Sequence, residues 1–217
     1  MKDEQGFLES KGCVEAIRIV TRILDDNNIP YWMDYGVLLG LLRDGKFIPY
    51  DDDVDMGILA NADQIQGICN IFRDQGLKAF ICDEPNNSIH FEDGGNGFGY
   101  ISISHFESNR FARIMSVILC HLPTRFRRWM IPFIQRYYSN NEVVRPSTTE
   151  GRENNLFCRF ARDMTSVLFC GSFATMEFYG YDVRVPEKAE ELLIMRYGDN
   201  WRVPKRKGDY LSFTIDH

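Results

Sequence analysis

Four carboxylates, Asp51, Asp52, Asp53 and Asp55, fall within five residues and are flanked on both sides by apolar residues. If this stretch is a strand, Val54, Met56 and Ile58 face a core, and Asp51, Asp53 and Asp55 share the opposite face, because side chains alternate with a period of two. Three like charges on one face repel unless a cation sits among them, and a hard divalent ion with oxygen ligands fits that need. The competing reading is a solvated acidic turn after Pro49. A calcium-binding EF-hand loop is excluded by counting: its sixth and twelfth positions require Gly and Glu, and from Asp51 these are Met56 and Ala62. What remains is an acidic pair, Asp53 and Asp55, with a glycine-containing segment upstream. That arrangement suits metal-assisted phosphoryl transfer, in which carboxylates hold the ion and the ion neutralises phosphate oxygens.

The run Tyr35-Gly36, Leu38-Leu39-Gly40, Arg43, Gly45 and then Phe47-Ile48-Pro49-Tyr50-Asp51-Asp52-Asp53-Val54-Asp55 resembles the signature of the LicD family. A second block, Val185-Pro186, Leu192-Leu193, Tyr197-Gly198-Asp199-Asn200-Trp201 and Pro204, is similar to that family's closing motif. The chain departs from the usual pattern at Val37 and Tyr50, and at Ser102, where the family usually carries an Asp between two isoleucines. The resemblance implies an α+β, nucleotidyltransferase-like fold: a mixed β-sheet flanked by helices, with an additional helical segment. It also implies a transferase that moves a phospho-substituent, of the phosphocholine or phospho-alditol type, from a CDP-linked donor to a hydroxyl of a glycan or lipid-linked glycan acceptor. Asp51, Asp53 and Asp55 would then hold Mg²⁺ or Mn²⁺, with Asp53 and Asp55 catalytic. Gly36 and Gly40 would admit the donor's phosphates and Arg43 would steady them. Ser102 is a poor substitute for a carboxylate ligand, so His105 or Glu107 from the same strand are the further candidates, although neither uses the face of Ser102.

Several elements must position these residues. Apolar Val14, Ile17, Val20, Ile23 and Leu24 recur at helical spacing, predicting one amphipathic helix over residues 8–27. Residues 30–33 read as a short strand leading into Asp34, and 37–43 as a helix whose N-terminus would favour phosphate. Arg43 either holds phosphate bidentately or pairs with one of the carboxylates from Asp51 to Asp55. A helix is expected over 63–75, ended by Gly76, followed by strands over 77–82 and 88–91. The glycine-rich stretch 92–99 lacks the spacing and Lys of a P-loop and reads as a hairpin connection, leading to a strand over 100–107. Alternation over 172–186 predicts a hairpin with Tyr179-Gly180 at its middle, and a helix is expected from Pro186 to the stop at Gly198.

Residues 108–141 differ from the rest: six arginines and no acidic residue are interleaved with aromatic and aliphatic side chains. Packed helices with outward arginines are the first reading; peripheral membrane contact and binding of an anionic donor are the others. Residues 139–155 read as a polar loop. With 217 residues and 44% hydrophobic composition, a single domain spanning 1–217 with this insertion is expected. The net charge of −6 argues against a general nucleic-acid binder. Six scattered cysteines show neither zinc-site spacing nor a disulfide framework, as expected in a reducing compartment. The charged N-terminus and the lack of a long apolar run point to a cytoplasmic chain, peripheral at most to a membrane. Two other functions fit the acidic motif: an Asp-x-Asp nucleotide-sugar glycosyltransferase, and a non-catalytic binding or scaffold protein.

Overall fold

The computed structural model describes residues 6–82, 88–106 and 172–204. The chain divides into two compact units, Met1–Ser108 with Ser172–Glu187, and Asn109–Gly171 with Lys188–His217.

The first unit is built on a mixed five-stranded sheet in the order β1-β2-β5-β4-β3. Its strands are β1 (Tyr31–Met33), β2 (Val54–Leu59), β3 (Ala79–Cys82), β4 (Ser88–Phe91) and β5 (Ile101–Phe106). β2 and β5 run parallel, and the other pairs are antiparallel. Alternation decides which face is covered. Val54, Met56, Ile58, Ile101, Ile103, Ile89 and Phe91 are buried on one face, and each fully buried side chain of this size stabilises the fold by roughly 1.5–3 kcal/mol. The other face carries the half-buried Asp55, Ser102, Ser104 and His90.

Helices α1 (Phe7–Ser10), α2 (Cys13–Asp26), α3 (Tyr35–Asp44) and α4 (Ala62–Asp74) complete this unit. The helix expected over 8–27 is therefore two helices. Gly12, with φ of 80°, breaks the chain between them, and an added Cβ at Gly97 would meet the Cys13 nitrogen at 2.6 Å. The break admits the 92–99 connection, which would collide with a continuous helix. As expected, that connection joins two antiparallel strands, β4 and β5. α4 opens with a capping box in which the Asn61 N–H donates to Gln64 Oε1 at 2.8 Å.

A separate two-stranded sheet, β6 (Phe173–Phe178) and β7 (Tyr181–Pro186), also belongs to the first unit. Its two-residue turn, Tyr179-Gly180, has φ of 53° and 84°, the positive values that match the twist of the flanking strands. The hairpin is anchored by Trp32 stacked on Phe173, with centroids 5.9 Å apart, and by Arg184 on Asp25 at 2.5 Å. Pro186 does not open the next helix, contrary to the sequence reading. It pairs with Phe173 at the end of β7, where a missing N–H is tolerated.

In the second unit the described residues are 188–204, with helix α5 (Ala189–Tyr197) ended by Gly198. Leu192, Leu193 and Trp201 are buried, and Arg202 pairs with Glu190 at 2.6 Å. The basic, aromatic segment 108–141 and the polar loop 139–155 lie outside the described residues. Among the described residues, no helix is long and apolar enough to cross a membrane.

Candidate functional site

The site is assembled where β1 ends, α3 begins and β2 begins. β1 and β2 pair antiparallel through Met33 and Met56, and one step further the Asp34 N–H donates to the Asp55 carbonyl at 3.0 Å. Asp34 is the N-cap of α3 and is 1% exposed. Burying a carboxyl group is costly unless its surroundings compensate, so a buried acid beside Asp55 marks this corner as specialised. Tyr35, the first helical residue, has φ of 40° and is 47% exposed. A non-glycine residue at positive φ carries a strain of order 1–3 kcal/mol, and such strain clusters at functional sites.

Gly36 explains itself through one neighbour. A Cβ added there would collide with the Asp51 carboxylate, so the absence of a side chain lets that carboxylate lie against the first turn of α3. Gly40, one turn on, is buried, and its added Cβ would meet the Lys46 carbonyl oxygen at 2.5 Å. Its smallness admits the backbone of the loop that carries the acids. Gly45, at φ of 68°, ends α3 in the left-handed conformation, and its N–H donates to the Leu41 carbonyl at 3.1 Å.

Asp51, Asp52 and Asp53 each bring a carboxylate oxygen within 4.8 Å of the others. All three precede β2, which starts at Val54. The expected alternation of Asp51, Asp53 and Asp55 along one strand therefore holds only for Asp55, and Asp52, which that alternation sets aside, joins Asp51 and Asp53. Free of the pleat, three consecutive side chains converge. The donor set is oxygen only and anionic, the chemistry that Mg²⁺ or Mn²⁺ requires.

Arg43 lies in the last turn of α3. Its Nε and Nη2 both donate to Asp44 Oδ2, at 2.8 and 2.7 Å, and its side chain is 5% exposed. Ser102 lies beside Asp55 in the parallel β2–β5 register, and His90 lies on its other side in β4. Asp55, Ser102 and His90 thus form a row on the half-buried face of the sheet. His90 Nε2 lies 2.7 Å from Ser88 Oγ, and burial pushes its pKa below the usual imidazole value. His105 is 5% exposed and pairs with Ile58 on the apolar face, away from the row of Ser102. Glu107 lies outside the described residues.

Sequence reasoning singled out neither Asp34 nor His90, and it counted Asp52 in the cluster without giving it a role. For Asp34 the signal was an acid immediately before a predicted helix, read only as a chain junction. For His90 the signal appears only when β4 is set in register with β5.

The family described as LicD/FKTN/FKRP, nucleotidyltransferase domain, matches residues 28–188, a span that contains Asp34, Gly36 and all four clustered acids. The chain is 34% identical over 203 residues to ribitol-5-phosphate transferase FKTN of Mus musculus, covering 93% of this chain and 36% of that protein. It is 40% identical over 57 residues to ribitol 5-phosphate transferase FKRP of Homo sapiens, covering 24% of this chain and 12% of that protein. An uncharacterized protein of Rickettsia typhi is 36% identical over 139 residues, covering 62% of this chain and 42% of that protein. In each case the match spans less than half the length of the relative. With three quarters of its length inside the family's domain, the chain belongs to the LicD/FKTN/FKRP nucleotidyltransferase-domain family.

Proposed function

We propose that this chain is a divalent-metal-dependent transferase with a nucleotidyltransferase-like fold, moving a phospho-substituent from a CDP-activated donor to a hydroxyl of a glycan or lipid-linked glycan. The observation that carries the reading is the Asp51 carboxylate seated against Gly36 at the first turn of α3, with Asp52 and Asp53 oxygens within 4.8 Å of its own. Family membership and two relatives named as ribitol-5-phosphate transferases support the reaction class.

Asp51, Asp53 and Asp55, with Asp52 alongside, would hold Mg²⁺ or Mn²⁺. When bound, the ion supplies positive charge against the donor's phosphate oxygens. The chain's own residues do the rest. The N-terminal turn of α3 directs backbone N–H groups towards an anion, and the space left by Gly36 there is taken by the Asp51 carboxylate, one of the groups that would hold the ion. Arg43, held by Asp44 at the last turn of α3, adds fixed positive charge to the same element. In the reaction the acceptor hydroxyl oxygen bonds to the donor's distal phosphorus, the bond from that phosphorus to the bridging oxygen breaks, and CMP departs with the electron pair. The hydroxyl proton passes to a base.

CMP release from CDP-ribitol and from CDP-choline, measured chromatographically with Mg²⁺ and with EDTA, tests the proposal. Metal-dependent release that Asp53→Asn reduces by at least a hundredfold is expected, comparable with removal of a principal electrostatic group at other active sites. Release that persists in EDTA, or that Asp53→Asn leaves unchanged, contradicts it.

A further inference from the structure

Tyr179 sits at the first turn position of the β6–β7 hairpin with φ of 53°, a conformation that Asn, Asp or Gly adopts far more readily in such turns. Its hydroxyl has two distant partners. It accepts the Phe47 N–H at 3.0 Å and donates to Glu9 Oε1. Glu9 Oε2 in turn accepts the Gly6 N–H at 3.3 Å, and the Phe7 N–H donates to the Pro49 carbonyl at 3.4 Å. The Phe47 ring is packed edge-on against Phe178 at 5.1 Å and tilted against Tyr179 at 5.3 Å. Three separate pieces of chain, the α1 turn, the hairpin tip and the loop after α3, thus meet at one phenol oxygen. The loop that it holds runs directly into Asp51, Asp52 and Asp53.

We infer that Tyr179 is a positioning residue for the acidic loop: its hydroxyl links Glu9 to the Phe47 amide and so holds the Asp51 carboxylate against α3, with Asp52 and Asp53 following it in the same loop. The inference rests on the metal-site reading proposed above and adds to it a regulator of ligand geometry remote from the ion. The backbone conformation at Tyr179 fits this role. A strained tyrosine stands in a turn that an asparagine would fill better, and the hydroxyl is the group an asparagine could not place there. Glu9 and Gly6 lie before residue 28, where the family match begins, so this arm of the link comes from outside the matched domain. Loss of the hydroxyl leaves the part-buried Phe47 N–H without its acceptor and frees the loop, which carries three of the proposed ligands. Metal affinity then falls because the carboxylates must be gathered before they can bind.

The test is Mn²⁺ titrated into the full chain and followed by water-proton relaxation, well below the melting temperature of each variant. Tyr179→Phe keeps the ring and removes the hydroxyl, and Mn²⁺ affinity is expected to fall about tenfold, the scale of one lost buried hydrogen bond. Tyr181→Phe is the control. It removes a hydroxyl on the same hairpin that donates to the Val14 carbonyl at 2.8 Å, away from the loop, and is expected to lower the melting temperature while leaving Mn²⁺ affinity unchanged. Unchanged affinity in Tyr179→Phe, or equal losses in both variants, overturns the inference. If Tyr179→Phe does not fold, Glu9→Ala cuts the other arm of the same link and is held to the same tenfold criterion. Wild-type Mn²⁺ binding that Asp53→Asn leaves unaltered would instead remove the metal-site reading itself, and the inference with it.

Discussion

Gly36 and Asp51 show how much of the site depends on a single missing side chain. The carboxylate occupies the space where a Cβ would stand, so Gly36→Ala forces either the helix or the acid to move. Overpacking of this kind costs about 1–3 kcal/mol. Because Asp51 is half-buried in a loop, the acid gives way more readily than the helix. Gly36→Ala is therefore expected to remain folded in thermal denaturation, with a lower melting temperature and weakened Mn²⁺ affinity. Wild-type affinity in the folded variant would show that the Asp51 position does not matter for the ion. At the residue scale the run of acids and the two glycines stand out in the sequence as a pattern, but the burial that separates half-buried Asp51 from exposed Asp52 and Asp53 does not. Asp34 was not legible: nothing in its neighbours reveals that it is buried, and burial is what makes it notable.

Register, which exists only between elements, places Ser102 next to Asp55 and His90 next to Ser102. Ser102→Asp brings a second carboxylate opposite Asp55. Without metal, like charges on adjacent strands destabilise by up to about 1 kcal/mol, so the melting temperature should drop in EDTA. With Mn²⁺ the added carboxylate becomes a possible ligand, and the loss should be reversed or exceeded. A drop that Mn²⁺ does not reverse would remove the Ser102 side of the row from the metal site. The elements themselves followed from periodicity: β4, α3, α4 and the β6–β7 hairpin lie within a few residues of where the pattern puts them. Two boundaries did not follow. The apolar spacing that predicts the helix begins at Val14, so nothing in it marks the break at Gly12 until the close approach of Gly97 is known. Pro186 has the signal of a helix start, and only its pairing with Phe173 shows that it ends a strand. The acids at 51–53 were misplaced for a related reason, since alternation was extended into residues that precede the strand.

Across the first unit, burial ties stability to alkaline pH. Cys13 is fully buried, and burial pushes its thiol from an ordinary 9.0 up to about 11. Tyr31 is 1% exposed, and burial, followed by the charge of Asp25, pushes its phenol from 10.0 up to about 12. Both groups stay neutral in the folded chain after the unfolded chain has released their protons. Their contribution is fully present below pH 9 and is lost as pH rises to about 12, by roughly 2–3 kcal/mol for each group. Urea denaturation at intervals from pH 8 to 11.5 should show this decline, and Cys13→Ala should flatten its earlier part between pH 9 and 11. A flat profile would mean that these groups are reached by solvent in the folded state. The α+β class followed from the family resemblance, and the described residues carry it as a mixed sheet with helices. The two compact units part near residues 108, 172 and 188; the first coincides with the start of the basic, aromatic stretch, and no composition change marks the other two. A donor held through metal by the acids at the head of β2 should bind only when the ion is present. Isothermal titration of CDP-ribitol into the full chain, with Mg²⁺ and with EDTA, for wild type and Asp53→Asn, tests it most directly. The expected result is saturable binding by the wild type in Mg²⁺ alone, with at least a tenfold loss in Asp53→Asn; equal binding in EDTA, or by the variant, would contradict it.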